Sequence, residues 1–217
     1  MIIPTLREAD TVARAISTTR QRLEPFEVIV MDASSDDGTR EVAEHAGARA
    51  IDIPGSRAVA MNAGARVARG DALLFLHADT TLPEGAGHSM RQALCDCGGG
   101  AFRIRYDDGR PILRALGDLR LRFLGPVYGD QAIFVTRAVY DQIGGYRPLP
   151  IMEDYDFALR LRRASHFVLL PLYVETAARR HRGRGTLATL ARMWAIQWLY
   201  RFGVSPDRLA RMYPPVR

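Results

Sequence analysis

Four short apolar runs alternate with helix-patterned segments over the first 77 residues, and this alternation constrains the fold more than any other feature of the chain. MIIP, FEVIVM, ARAIDI and DALLFLH read as strands. Between them, TVARAISTTRQRL with Asp10 placed to cap it, GTREVAEHAG closed by Gly47, and SRAVAMNAGARVARG ending at Gly70 read as helices. Strands that alternate with helices call for right-handed crossovers and a mainly parallel sheet with helices packed on its faces. The first strand is short, with three residues ahead of Pro4, where strands usually run about five or six.

The pattern changes near Gly98. GGAFRIRY alternates like an exposed-edge or antiparallel strand, PILRALGDLRLRFL reads as a helix, and QAIFV as another strand. RAVYDQIGG is a short helix with a glycine stop, and HFVLLPLYV a late strand. TLATLARMWAIQWLYRFG and SPDRLARMY are amphipathic C-terminal helices whose apolar faces carry Leu187, Leu190, Trp194, Trp198 and Leu199. Such a stripe suits core packing first and a membrane-surface face second. With 217 residues, 47% of them hydrophobic, and no repeat or linker, one enzyme-sized α/β domain is expected.

Acidic residues gather where the strands end. MDASSDDGT, with Asp32, Asp36 and Asp37, follows FEVIVM; HADT, with Asp79, follows ALLFL; MEDYD, with Glu153, Asp154 and Asp156, opens the helix MEDYDFALRLRR. Taken singly, each has a plain explanation as a turn, a helix cap or a first helical turn that complements the dipole. Together they place three carboxylate clusters at the strand ends, where open α/β sheets bind ligands. Carboxylates brought that close repel one another unless a cation, a donor or a proton holds them, so the set points to chemistry.

All 30 basic residues are arginine, and their distribution is uneven. From Arg160 onward 12 arginines meet Glu175 and Asp207 alone, a net of +10, whereas the first 159 residues carry a net of −4. The acidic part suits metal and sugar hydroxyls, and the basic tail suits phosphate or an anionic membrane surface. No interleaving of aromatic and basic residues marks a nucleic-acid binder, so none is expected as a partner. Cys95-Asp-Cys97 is too closely spaced for a usual disulfide and lacks a second pair for zinc, which points to reduced, cytoplasmic residence. No apolar run reaches the roughly 18 to 20 residues of a membrane span, and no signal-peptide pattern opens the chain.

At IIPTLRE, VIVMDASSDDGT, GSRAVAMNAGARVARGDALLFLHADT, GDQAIFVTRAVYDQIGGYRPLPIMED and the HRGRG region the chain resembles a family 2 glycosyltransferase of the GT-A fold. MNAGA, FLHADT and GDQAIFV are similar to a short, soluble bacterial subgroup. The resemblance implies a Rossmann-like, mixed and mainly parallel sheet flanked by helices, with C-terminal helices. Residues 1–80 would form the nucleotide-binding half, 81–175 the acceptor-side half and 176–217 the helical tail. It assigns Pro4 and Glu8 to the loop that meets the nucleotide, Asp32 to the base, and Ser34, Asp36 and Asp37 to the loop nearby. Asp79 matches the last acid of the D-x-D motif that binds a divalent metal, Mn²⁺ or Mg²⁺; at the first position His77 departs from the motif, an imidazole that either ligates Mn²⁺, being poorly suited to Mg²⁺, or faces away. Arg57, Arg179 and Arg180 would face the diphosphate. Gly129, Asp130 and Gln131 match the strand-entry segment on the acceptor side, Asp154 matches the general base, and Glu153 and Asp156 would tune it or bind sugar hydroxyls. AARRHRG echoes the Q-x-x-R-W motif of processive relatives too weakly to imply processivity.

The implied reaction explains these residue types. Displacing a nucleoside diphosphate builds negative charge on the leaving group, which a metal and arginines stabilise, and an inverting attack needs a base for the acceptor proton. The expected donor is a UDP, GDP or dTDP sugar, the acceptor is unidentified, and peripheral contact of the tail with the inner membrane face is a further expectation. Two other functions compete. A non-catalytic nucleotide-sugar-binding relative is suggested by His77 in place of an acid. A nucleotidyltransferase would need a glycine-rich phosphate loop at the first strand, and PTLREAD is not glycine-rich.

Overall fold

The computed structural model describes residues 1–23, 26–107, 127–177 and 186–212. In chain order the elements are β1 (Ile2–Thr5), α1 (Ala9–Arg20), β2 (Ile29–Asp32), α2 (Thr39–His45), β3 (Arg49–Asp52), α3 (Arg57–Val67), β4 (Ala72–Phe75), β5 (Thr80–Thr81), α4 (Ala86–Asp96) and β6 (Gly99–Tyr106). A 3₁₀ turn (Gly129–Gln131), β7 (Ile133–Thr136), α5 (Arg137–Gln142), α6 (Glu153–Ala164), β8 (Phe167–Thr176), α7 (Thr186–Arg201) and α8 (Pro206–Met212) follow. The expected helix PILRALGDLRLRFL lies outside the described residues.

The eight strands form one sheet in the order β3-β2-β1-β4-β7-β6-β8-β5. β3, β2, β1 and β4 run parallel, as the strand–helix alternation requires. The second half is mixed: β7 lies antiparallel to both β4 and β6, and β6 runs parallel to β8. GGAFRIRY is therefore an inner strand rather than an exposed edge. Its first four residues are buried, covered by β7 and β8 on either side. One apolar cluster, including Ile3, Ile16, Val30, Leu74 and Phe134, fills one face of the sheet. A second, including Ile2, Met31, Phe75, Tyr146 and Phe157, fills the other.

The order reverses direction between β1 and β4, and there the sheet parts. β1 matches β2 along its whole length but meets β4 only at Ile2 and Phe75. Even-numbered residues of β1 face β4, shown by the Leu76 amide donating to the Ile2 carbonyl. Pro4, which lacks an N–H, thus falls where no β1–β4 ladder bond is made, so a proline in an inner strand costs little. Such a switch point opens a crevice at the carboxyl ends of the strands. α3 packs tightly below it: a Cβ on Gly64 would sit 2.5 Å from the Ile2 side chain.

One capping expectation differs from the structure. Ser56 does cap α3, accepting from the Val59 amide. Asp10 lies inside the first turn of α1 rather than ahead of it. A distant residue takes up that role, since the Asp37 carboxylate accepts from the Ala9 amide as well as from Thr39.

Candidate active site

The first wall of the crevice is the loop after β2. Asp32 ends that strand and is 2% exposed. Its Oδ1 accepts from Thr5 Oγ1 at 2.7 Å and Ser35 Oγ at 2.6 Å, and its Oδ2 accepts from the Ser35 amide at 2.8 Å. A carboxylate offers about four lone-pair directions, so one direction is left on Oδ2. Ser34, held at a positive φ of 58°, donates to Asp52 at 2.9 Å. Asp36 pairs with Arg7 at the surface, and Glu8 accepts from Thr11 at 2.7 Å while its amide donates to Thr39. Pro4 lies half-buried just behind this loop. The hydroxyls of Thr5, Ser35 and Thr39 organise the loop, and sequence reading, which assigned Ser34 to it, missed all three.

The second wall is the head of α6. Glu153 and Asp154 are buried, 4% and 6% exposed. Arg57, at the start of α3, donates through Nε to Glu153 Oε1 at 2.6 Å and approaches Asp154 Oδ2 at 3.9 Å. His77, from the end of β4, brings Nε2 within 3.4 Å of Arg57 Nη1 and 3.9 Å of Asp154 Oδ2. A guanidinium only donates, so the His77 Nε2 lone pair accepts from Arg57. Residues 57, 77, 129 and 153–154 meet here across the sheet. Gly129 is required for the approach: a Cβ on it would fall 2.3 Å from Asp154 Oδ2 and 2.6 Å from His77 Nε2.

Burial pushes the Asp154 carboxyl up to about 7; Arg57 opposes this, and the charges of Glu153 and Asp130 reinforce it. Its Oδ1 is enclosed and has no hydrogen-bond partner. A buried, partly paired acid poised near neutrality is the profile of a proton acceptor.

The remaining expected residues are placed differently. Asp156 takes Arg160 at 2.7 Å, Arg147 at 3.3 Å and the Tyr200 hydroxyl at 2.9 Å, tying α6 to the loop before it and to α7. Gln131 is fully buried, donating to the Phe102 carbonyl at 2.9 Å and accepting from the Tyr128 amide at 3.2 Å. Asp130 sits half-buried beside Gly129. Asn62 of the MNAGA motif holds the other loop, donating to the Tyr146 carbonyl and accepting from the Tyr146 amide and the Tyr140 hydroxyl. Arg179 and Arg180 lie outside the described residues.

Whether these residues suit a divalent cation follows from the donor set. Among the described residues no group of three or more His, Cys, Asp or Glu is arranged to hold a metal. Asp79 Oδ1 lies 3.4 Å from the hydroxyls of Thr80 and Thr176, and His77 Nε2 is directed at Arg57. The chain thus offers one carboxylate here rather than a closed cage. Mg²⁺ and metals like it are commonly bound in this way, through one or two carboxylates with substrate phosphates and water completing the shell. The residues fit a cation carried in with a diphosphate.

A parallel half-sheet, a mixed second half and a crevice at the switch point define the GT-A architecture, and solved structures match it. The chain aligns over 100% of its length with a mannosyltransferase from Pyrobaculum calidifontis determined in complex with GDP-Man and Mn²⁺, at 18% identity and a TM-score of 0.69, covering 64% of that protein. TarS of S. aureus matches over 99% of this chain and 45% of its own, at 15% identity and a TM-score of 0.69. Glucosyl-3-phosphoglycerate synthase from Mycobacterium tuberculosis, in complex with Mn²⁺ and UDP-glucose, matches at 21% identity and a TM-score of 0.59, over 94% of this chain and 78% of its own. The chain therefore spans less than two thirds of the first two of these proteins. No curated protein matches the sequence. Residues 1–142 match glycosyl transferase family 2, and the chain belongs to that family.

Proposed function

We propose that this protein transfers a sugar from a nucleotide-sugar donor to a hydroxyl of its acceptor, with inversion at the anomeric carbon and Asp154 as general base. The observation that carries the reading is the Asp154 carboxylate: buried, raised to about 7, and with Oδ1 unpartnered at the head of α6 beside the switch-point crevice. In this reaction the Asp154 carboxylate takes the acceptor proton as the acceptor oxygen attacks the anomeric carbon. The bond from that carbon to the diphosphate oxygen breaks, and the nucleoside diphosphate leaves with the electron pair.

The other residues take supporting roles. The loop built on Asp32, with Pro4, Glu8, Ser34 and Asp37 around it, receives the nucleoside, and the open direction on Asp32 Oδ2 serves a base N–H. Arg57 holds Glu153 and Asp154 together against their mutual repulsion, and its two-fifths exposure leaves donors for the diphosphate. Arg179 and Arg180 belong to the same anionic end of the donor. Asp79 would hold the divalent cation, which supplies charge neutralisation at the leaving diphosphate. Gly129, Asp130 and Glu153 border the sugar and acceptor. Asp156 and Gln131 act by fixing the elements that carry those groups.

Donor hydrolysis tests this reading. Purified protein with UDP, GDP and dTDP sugars, with and without Mn²⁺, is expected to release nucleoside diphosphate slowly from one of them, faster with metal. Donor binding in a thermal-shift assay with no release by any metal-loaded sample would instead establish a non-catalytic binder.

A further inference from the structure

Among the described residues four large apolar side chains are exposed: Leu6, Trp198, Phe202 and Met212. Three of the four belong to the last two helices and the turn between them. Trp198, 43% exposed, and Phe202, 79% exposed, stack with ring centroids 5.9 Å apart, and the Arg201 guanidinium lies 5.5 Å from the Trp198 ring. Phe202 thus extends into solvent while stacking on a neighbour that is itself exposed, so the two rings form one patch rather than two scattered residues. The sequence stripe predicted Trp194 and Trp198 on a common face. In the structure Trp194 is half-buried with its indole nitrogen enclosed, and the outward partner of Trp198 is Phe202.

The opposite side of the same helix is committed to the body of the protein. Ile196 and Gln197 are buried, and the Tyr200 hydroxyl reaches Asp156 on α6, while Leu209 anchors α8. The aromatic pair is therefore not needed for core packing. Charge separates in the same way: residues 186–212 carry Arg192, Arg201, Arg208 and Arg211 against Asp207 alone, a net of +3, whereas residues 1–159 carry a net of −4. An indole and a phenyl ring flanked by arginines suit the boundary between lipid headgroups and acyl chains. No helix among the described residues is long and apolar enough to cross a membrane, so such a helix would lie along the surface.

We propose that the outer face of α7 and α8, led by Trp198, Phe202 and Arg201, docks this protein peripherally on an anionic lipid surface. A net-positive segment attracts anionic headgroups, and the net-negative first 159 residues favour an orientation with that segment toward the bilayer. The proposal is independent of glycosyl transfer, because α7 would dock whether or not Asp154 acts as a base.

Co-sedimentation with vesicles tests it. Vesicles of phosphatidylcholine with phosphatidylglycerol are expected to pellet the protein at low salt, phosphatidylcholine alone much less, and added salt to release it. The double variant Trp198→Ser, Phe202→Ser is expected to lower partitioning by at least about ten-fold, since each ring contributes apolar burial. Its circular dichroism melt should stay close to that of the parent, because both side chains are exposed. Substituting Arg201, Arg208 and Arg211 by Gln should weaken binding and flatten its salt dependence. The proposal is overturned if anionic vesicles fail to pellet the protein at low salt, or if the serine variant binds as the parent does. It is equally overturned if ultracentrifugation shows a dimer that the serine variant abolishes while vesicle binding is absent, since the patch would then cover a second copy of the chain.

Discussion

Asp154 concentrates the consequences of the site at a single carboxyl. Asp154→Asn keeps the shape of the side chain and removes the base, so transfer should fall by about 10² to 10⁴ while the affinity for nucleoside diphosphate stays near that of the parent; initial rates and titration calorimetry check the two parts. For the parent, kcat/KM should rise with pH through about 7 as the acid ionises. Arg57→Gln removes the charge that favours ionisation, so this limb should move to higher pH. Stability runs in the opposite direction. The folded protein keeps the Asp154 proton up to about 7, whereas an aspartate in the unfolded chain releases it near its ordinary 3.8. Between these values the native state binds more protons than the unfolded chain, and stability falls as pH rises. The Asn variant should therefore melt several degrees above the parent at pH 8, a gap of a few kcal/mol at most, and the two should converge toward pH 4. Sequence alone identified Asp154 as a candidate, because an acid pair heading a helix is visible in one dimension. Its raised pKa was not, since burial in the folded molecule causes it, with Glu153 and Asp130 adding to it and Arg57 opposing it, and neither was the oxygen left without a partner while Arg57, His77 and Gly129 gather at the other one.

Elements act here mainly by carrying side chains into position. The turn at Gly129 is the clearest case, because β7 must enter the sheet directly beneath Asp154 and His77. Gly129→Ala should cost at least about ten-fold in turnover, through displacement of the base by a fraction of an ångström or more. Far-ultraviolet circular dichroism should stay native, as the clash is with two side-chain ends. α6 and α7 are joined at Asp156, so Tyr200→Phe should lower stability by about 1 to 2 kcal/mol, the worth of one hydrogen bond to a charged group, and Tm by a few degrees. Asp156→Ala should be more severe, up to about 3 kcal/mol, because Arg160, largely enclosed, keeps its bonds to the Ile143 and Gly145 carbonyls but loses its carboxylate. Most elements were legible from periodicity, which is written within ten or so residues. Asp10 was misplaced as a cap because the group that meets the start of α1, Asp37, lies 28 residues away.

For the whole molecule, the crevice must accept nucleotide and cation together. In a thermal-shift experiment the matching nucleoside diphosphate with Mn²⁺ should stabilise the protein by about 2.7 kcal/mol at one hundred times its Kd. Asp79→Ala should lose most of that shift with metal present and little in EDTA. An equal loss in EDTA would remove Asp79 from the role of metal ligand.

The sequence by itself determined the alternation of strands and helices, the parallel half-sheet, the positions of the acidic loops and the charge contrast between body and tail. Each of these depends on residue type at short spacing. Only the tertiary structure decided which groups meet. It buried GGAFRIRY between β7 and β8, turned His77 toward Asp154 and Arg57, and drew Asp156 into a tie between helices. It also set Trp198 with Phe202 facing outward. The physical reason is that pairing order, side-chain direction and burial are settled by contacts between residues tens of positions apart. Such contacts follow from packing the two faces of one sheet, and the one-dimensional pattern is compatible with more than one way of packing them.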